Sequence, residues 1–291
     1  MKAKKNQNLS KQDRVLTVFY TQLSALVNSV QLILPDIAKD QDIEFLHQYR
    51  VSLRKVVALL VVFHNFVPKK ILLKMKTDSK SLFEASGQLR DLDLLLNKFQ
   101  QVNLKNKHKS PDKTLVQEIM AKRLEEFKRF LLSTQSREYK DRFVRLQACL
   151  NKIKHLNTQV TLNDCWPNLI KQSMQNVHTV YKKLWKQKDD PHIHKLRKNL
   201  KQLRYCIELF GVLVKPRKAK TVLSWLKIQQ ESLGNYNDLQ VQSGLLKGHE
   251  RANKKIKQVL KTGDLTEMRK SLPLSKSDWK ILSKKIQPLA G

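Results

Sequence analysis

Glycine and proline are scarce, 7 and 8 among 291 residues, too few for the dense turns of a β-sandwich or for a Pro/Gly-rich disordered tail. The three cysteines, Cys149, Cys165 and Cys206, are scattered, with no C-x-x-C pair and no Cys/His cluster at metal-ligand spacing. Neither a zinc knuckle nor a disulfide framework is supported, so plain reduced thiols are expected, without a metal or cofactor. Aromatic residues make up 7%, and Trp166, Trp185, Trp225 and Trp279 are spread out with no RNP-like or helix-turn-helix pattern. A protein that stacks bases usually interleaves aromatics with its cations. No stretch reaches about 18 uninterrupted apolar residues. The richest run, VVALLVVF at 56–63, is too short to span a bilayer, so membrane insertion is not expected. The basic start MKAKKNQNLSKQDR lacks an apolar segment and a small-residue cleavage site after it, which argues against secretion and for the cytoplasm.

Basic residues are plentiful. Lys+Arg 57 against Asp+Glu 25 leaves a net charge of +32, which repels itself unless something negative is near. A polyanion is the first partner to expect. The 25 acids are too sparse and dispersed to outline a base, nucleophile or metal site, so a binding protein is expected rather than an enzyme. At 41% hydrophobic the composition is that of a folded protein, and 291 residues suffice to bury a core without crosslinks.

Apolar residues recur at helical spacing almost throughout, as in Val15, Val18, Phe19, Leu23, Leu26 and Val30, while strict alternation is hardly seen. The chain therefore reads as all-α. Helices are predicted at about 11–34, 42–66, 69–85 and 88–99, then over 114–155 with an interruption near 133–136, where Pro35 and Pro68 act as stops. Further helices are predicted at about 163–188, 191–214, 217–233 and 235–247, with tail pieces at 248–261 and 276–286. The polar segment NLKNKHKSPDK at 103–113 is the best linker.

Sliding the chain against itself reveals a repeat. An offset of 147 pairs HQYRVSLRKVVALLVVF at 47–63 with HKLRKNLKQLRYCIELF at 194–210, matching His47 with His194, Arg50 with Arg197, Leu53 with Leu200 and Phe63 with Phe210. The same offset pairs EASGQLRDLDLL at 84–95 with ESLGNYNDLQVQ at 231–242, matching Glu84 with Glu231, Gly87 with Gly234, Asp91 with Asp238 and Leu92 with Leu239. Lys80 pairs with Lys227 between the two blocks.

Within these blocks lies a basic edge. His194, Arg197, Lys201 and Arg204 follow one helix face over roughly 15 Å, apart from the core face of Leu196, Leu200, Leu203, Ile207 and Phe210. The first repeat has His47, Arg50 and Arg54, with Lys55 beside them and Val57 where Arg204 would be. A charge run is usually just solvated surface. Yet like charges at i, i+4 are mutually unfavourable, and a repeated spacing headed by histidine is not what solvation alone requires. Two such edges brought together would suit a linear anion, because arginine forks onto phosphate oxygens and a phosphate chain favours protonated histidine. Asp91 and Asp238 are expected to orient arginine or lysine, and Gly87 and Gly234 to serve turns or close helix approach.

The stretch HKLRKNLKQLRYCIELF followed by LGNYNDLQV resembles the signature of the CHAD family, and HQYRVSLRKVVALLVVF followed by GQLRDLDLLL resembles its N-terminal half. The resemblance extends over about residues 11–250. It implies two four-helix bundles related by pseudo-twofold symmetry around a basic central cavity, and binding of inorganic polyphosphate. The implied organisation is a first bundle repeat at 11–102, a linker and long connecting helices at 103–157, a second repeat at 158–250 and a basic helical tail at 251–291. The basic residues carried over are His47, Arg50, Arg54, His194, Arg197, Lys201 and Arg204, with Lys80 and Lys227 as additions; Lys55, Arg90 and Lys198 lie on or beside the same edges. Asn237 stands where the first repeat has Arg90, so the halves are expected to bind unequally. Some family members carry a triphosphate-tunnel hydrolase domain marked by E-x-E-x-K; EEFKRF at 125–130 has the wrong spacing. The resemblance thus implies a cytoplasmic protein associated with polyphosphate granules, with nucleic acid as the rival partner because any strongly basic chain holds phosphate backbones at low salt.

Overall fold

A computed structural model of the chain describes residues 9–105, 113–187, 189–246 and 265–290, and among these every named element is helical. Helix α1 spans Val15–Leu32, α2 Leu34–Ala38, α3 Ile43–Val62, α4 Lys69–Ala85, α5 Gly87–Lys105, α6 Lys113–Gln135 and α7 Arg137–Lys154. Then come α8 at Leu162–Lys186, α9 at Asp190–Cys206, a π turn at Ile207–Gly211, α10 at Val212–Val214, α11 at Pro216–Leu245, α12 at Leu265–Lys270 and α13 at Lys276–Ala290. The tail piece expected at 248–261 and most of the linker at 103–113 lie outside the described residues.

The repeat governs this order. α1 and α8 start at Val15 and Leu162, α3 and α9 at Ile43 and Asp190, α4 and α11 at Lys69 and Pro216, each pair 147 positions apart. α1 packs on α3, α3 on α4, α4 on α7 and α7 on α1; α8, α9, α11 and α13 close an equivalent ring. Thus α7, from the connecting stretch, and α13, from the tail, each complete a bundle. Trp166 Nε1 donates to Leu289 O at 2.8 Å and Tyr181 Oη to Pro273 O at 3.1 Å, so the tail is built into the core.

The bundles meet along α3 and α9. Phe63 and Phe210, equivalent in the repeat, are in contact at 4.7 Å between ring centroids, and Phe19 stacks on Phe63 at 4.9 Å. A residue can touch its own equivalent only beside a local twofold axis, so this contact places the axis between the two rings. Gly211 allows the π turn to approach Trp166, since a Cβ there would stand 3.2 Å from the indole. Helices α5 and α6 pair to one side over a small core of Leu92, Leu95, Phe99, Leu115, Ile119 and Leu246.

One expectation needs correction. The helices predicted at 217–233 and 235–247 are one helix, α11, which runs straight through Gly234. The first repeat does break there, between α4 and α5, because Arg50 Nη1 and Ser86 Oγ both donate to Phe83 O, the carbonyl a continuing helix would offer to Gly87. Leu233 replaces Ser86 in the second repeat and supplies no such competitor. Although no uninterrupted apolar run is long enough, the stretch Val15–Ala38 is long and apolar enough, by length and composition, to cross a membrane. Within it Val15, Val18, Phe19, Leu23, Val27 and Val30 are buried in the core.

Phe63→Ala and Phe210→Ala are each expected to lower unfolding free energy by about 3–5 kcal/mol. Urea unfolding of both single variants and the double variant should show less than additive losses, because the two rings share one contact; strictly additive losses would contradict a joint core.

Candidate functional site

N-caps set the start of both central helices: Asp42 accepts from Glu44 N in α3, and Asp189 from His192 N in α9. The leucine faces of α3 and α9 enter the core, so packing one helix on the other brings their basic edges together. Arg54 of α3 lies in the field of Arg197 and Lys201 of α9, and Asp91 of α5 in that of Arg50, Asp238 and Arg197. The two edges thus form one shared seam instead of facing away from each other.

In the first half Arg50 and Arg90 are firmly held. Arg50 is 8% exposed, donates to Phe83 O at 2.9 Å and Ser86 Oγ at 2.8 Å, and lies 4.0 Å above the Phe83 ring. Burial, followed by the nearby Arg54, lowers its pKa to about 10. The Arg54 guanidinium is 5.6 Å from the same ring. Arg90 donates to Ile43 O and to His47 Nδ1, both at 3.2 Å. A guanidinium has only donors, so His47 must accept at Nδ1 and carry its proton on Nε2. Burial and then Arg90 hold the His47 pKa below its ordinary value.

The second half is less committed. His194 Nδ1 faces Asn237 Oδ1 at 3.3 Å, an acceptor in place of Arg90, so His194 can donate there. Burial and then Lys198 nevertheless keep its pKa low. Lys201 is lowered furthest, to about 7, first by burial and then by Arg197 and Arg54. Most telling, Nε of Arg54 and Nε of Arg197 are both buried without a hydrogen-bond partner among the described residues. An unfilled buried donor costs about 1–3 kcal/mol, more when charged. One such arginine comes from each repeat.

The structure therefore brings together His47, Arg50, Arg54, Arg90, His194, Arg197 and Lys201. Lys55 and Arg204, expected in the same row, instead reach Glu208 at 3.2 and 2.7 Å. The edge is thus not free of compensating acids. Lys80, Lys198 and Lys227 are exposed, and Lys80 pairs with Glu84 at 3.5 Å. Phe83, Ser86, Glu208 and Gln230 escaped the sequence reading. Glu208 stands four residues after Arg204, a readable ion-pair spacing; Phe83 and Gln230 occupy matched positions but are not identical, so the repeat comparison passed over them.

Among the described residues, no three His, Cys, Asp or Glu side chains gather to hold a metal. The three cysteines are free and buried, and burial pushes Cys165 and Cys206 up to about 12. Trp185 and Trp279, far apart in sequence, meet around His178, which stacks on Trp279 at 4.4 Å.

The CHAD domain pattern matches residues 21–247. Among solved structures, the chain is similar to the CHAD domain from the plant Ricinus communis, with a TM-score of 0.72, 20% identity, and 90% of this chain and 92% of that one covered. It is also similar to PptA from Streptomyces chartreusis, with a TM-score of 0.58, 14% identity, and 95% and 99% covered. No protein of curated function matches it.

The Lys201 pKa generates a stability test. Its folded value of about 7 lies below the ordinary lysine value, so between the two the unfolded chain binds more protons and stability rises with pH. Lys201→Met is expected to raise Tm by several degrees at pH 6, with the gain fading as pH approaches 10, in melting curves across that range. A gain independent of pH would contradict a charged, desolvated Lys201.

Proposed function

The chain belongs to the CHAD domain family, and from that premise we propose that it binds linear inorganic polyphosphate along the seam of α3 and α9, without acting on it chemically. The observation that carries this reading is the pair Arg54 and Arg197, one from each repeat, desolvated in each other's field with an unfilled Nε donor apiece. Like charges driven together in a shielded place call for an anion between them, and a row of them calls for an anion with repeating charge.

Roles follow from the local chemistry. Arg54 and Arg197 supply forked donors, and Lys201 a point charge that a phosphate would restore to its protonated form. His47 contributes a neutral Nε2–H, because Arg90 opposes its charging. His194, beside Asn237, is the imidazole that gains a proton. Arg50 and Arg90 shape the wall: their donors go to Phe83, Ser86, Ile43 and His47. Asp91 and Asp238 limit the repulsion among the arginines. Nucleic acid ranks second, since Phe83, the ring these arginines touch, already lies beneath Arg50.

Arg197→Glu with Lys201→Glu is expected to weaken long-chain polyphosphate binding about a hundredfold or more. The same reversal at Lys284 and Lys285, exposed on α13, should change it little. Isothermal titration at near-physiological salt checks both; equal losses would mean diffuse charge attraction. Single-stranded RNA binding equally tightly or more tightly would overturn the reading.

Binding should also take up protons near neutrality, because phosphate raises the pKa values of Lys201 and His194. Affinity is therefore expected to fall as pH rises through and above 7, by up to about tenfold per pH unit for each proton taken up. Titrations in buffers of different ionisation enthalpy should reveal the uptake, and Lys201→Arg should reduce it.

A further inference from the structure

We propose that Glu208 is an internal counter-anion that withholds Lys55 and Arg204 from the polyphosphate and closes one end of the groove; this rests on the polyphosphate reading above. Glu208 lies in the π turn that continues α9. Its Oε2 takes Lys55 Nζ at 3.2 Å and its Oε1 takes Arg204 Nε at 2.7 Å, so one carboxylate ties α3 to α9. The side chains are 24%, 22% and 33% exposed for Lys55, Glu208 and Arg204, more shielded than a free surface pair. Each cation has a second anchor. Arg204 Nη1 donates to Gln230 Oε1 at 3.1 Å, and Gln230 Nε2 in turn to Leu200 O at 2.9 Å. Lys55 Nζ stands 5.5 Å from the Tyr205 ring centroid.

Position along the helix gives this arrangement its meaning. His194, Arg197, Lys201 and Arg204 advance by helical steps, and Glu208 occupies the next step. A phosphate chain following α9 past Lys201 therefore meets a cation already neutralised and then a carboxylate that repels it. The position equivalent to Glu208 in the first repeat is Val61, so only one repeat carries the stop. Glu208 and its two cations accordingly set where the bound segment ends and how many phosphates the groove holds.

The test is the salt dependence of affinity for polyphosphate of defined length. Each cation freed to meet a phosphate should steepen the slope of log affinity against log salt by about 0.7, so releasing both should steepen it by about 1.4. Glu208→Gln is expected to show that steepening with tighter binding. Lys55→Met in the wild-type background should leave the salt slope nearly unchanged, because that cation meets no phosphate there, and in the Glu208→Gln background should remove about half of the steepening. Normal wild-type binding with an unchanged slope in Glu208→Gln would overturn the role of Glu208 alone. A wild-type chain that binds no polyphosphate would overturn the function reading and this inference with it. Should Glu208→Gln fail to fold, Lys55→Met still decides: a loss as large as that of Lys201→Met would overturn the inference.

Discussion

Apolar packing of α3 against α9 forces groups of one charge into a shared, partly dry space, and the chemistry of the molecule follows from that. The Phe63–Phe210 contact and the leucine faces of the two helices fix their approach. Because the basic edges flank these faces, they cannot separate without opening the core. Desolvation and mutual repulsion then act on the same side chains, which is why Arg50, Arg197, Lys201, His47 and His194 all shift in the direction that disfavours charge. Asp91 and Asp238 offset part of this, and Phe83 shields Arg50. Unfilled donors on Arg54 and Arg197 mark what the protein leaves uncompensated.

Duplication supplied two copies of this framework, and substitutions have given them different tasks. Arg90 makes His47 an acceptor, whereas Asn237 lets His194 donate. Ser86 and Phe83 hold Nη1 of Arg50, whereas Leu233 and Gln230 stand at the matching positions of the second repeat, where Gln230 instead accepts from Arg204. Arg50 and Arg90 of the first half are thus committed to protein acceptors, while Arg54 of the first half and Arg197 of the second each keep an Nε without a partner among the described residues. Backbone structure changes with the side chains: the hydrogen bonds that fix Arg50 also end α4, while α11 continues through Gly234.

Much of this was legible because it depends on spacing. The offset of 147 predicted which helices correspond, the apolar period predicted their buried faces, and the match of His47 to His194 and Arg50 to Arg197 located both basic edges. α4 was placed to the residue, since Pro68 sets its start. Partner choice across the fold was not legible. That α7 and α13 would complete the bundles, that Lys55 and Arg204 would share Glu208, and that Trp185 and Trp279 would meet around His178 all require knowing which distant helices touch. The helix break failed for another reason: glycine permits a turn without requiring one, and Ser86 with Arg50 decides the matter.

On the proposed reading, folding and anion binding therefore draw on the same contact and oppose each other. Tighter packing of α3 on α9 strengthens the core and brings Arg54, Arg197 and Lys201 into a more repulsive, less solvated place, raising the cost of the empty groove. A ligand that cancels this repulsion binds the folded state alone and stabilises it by mass action. Removing the cations would relieve the strain but also remove the reason for binding. The balance instead falls to acids outside the core: Asp91, Asp238 and Glu208 set how much positive charge the seam keeps, and so, on the proposed reading, how strongly it would draw a polyanion.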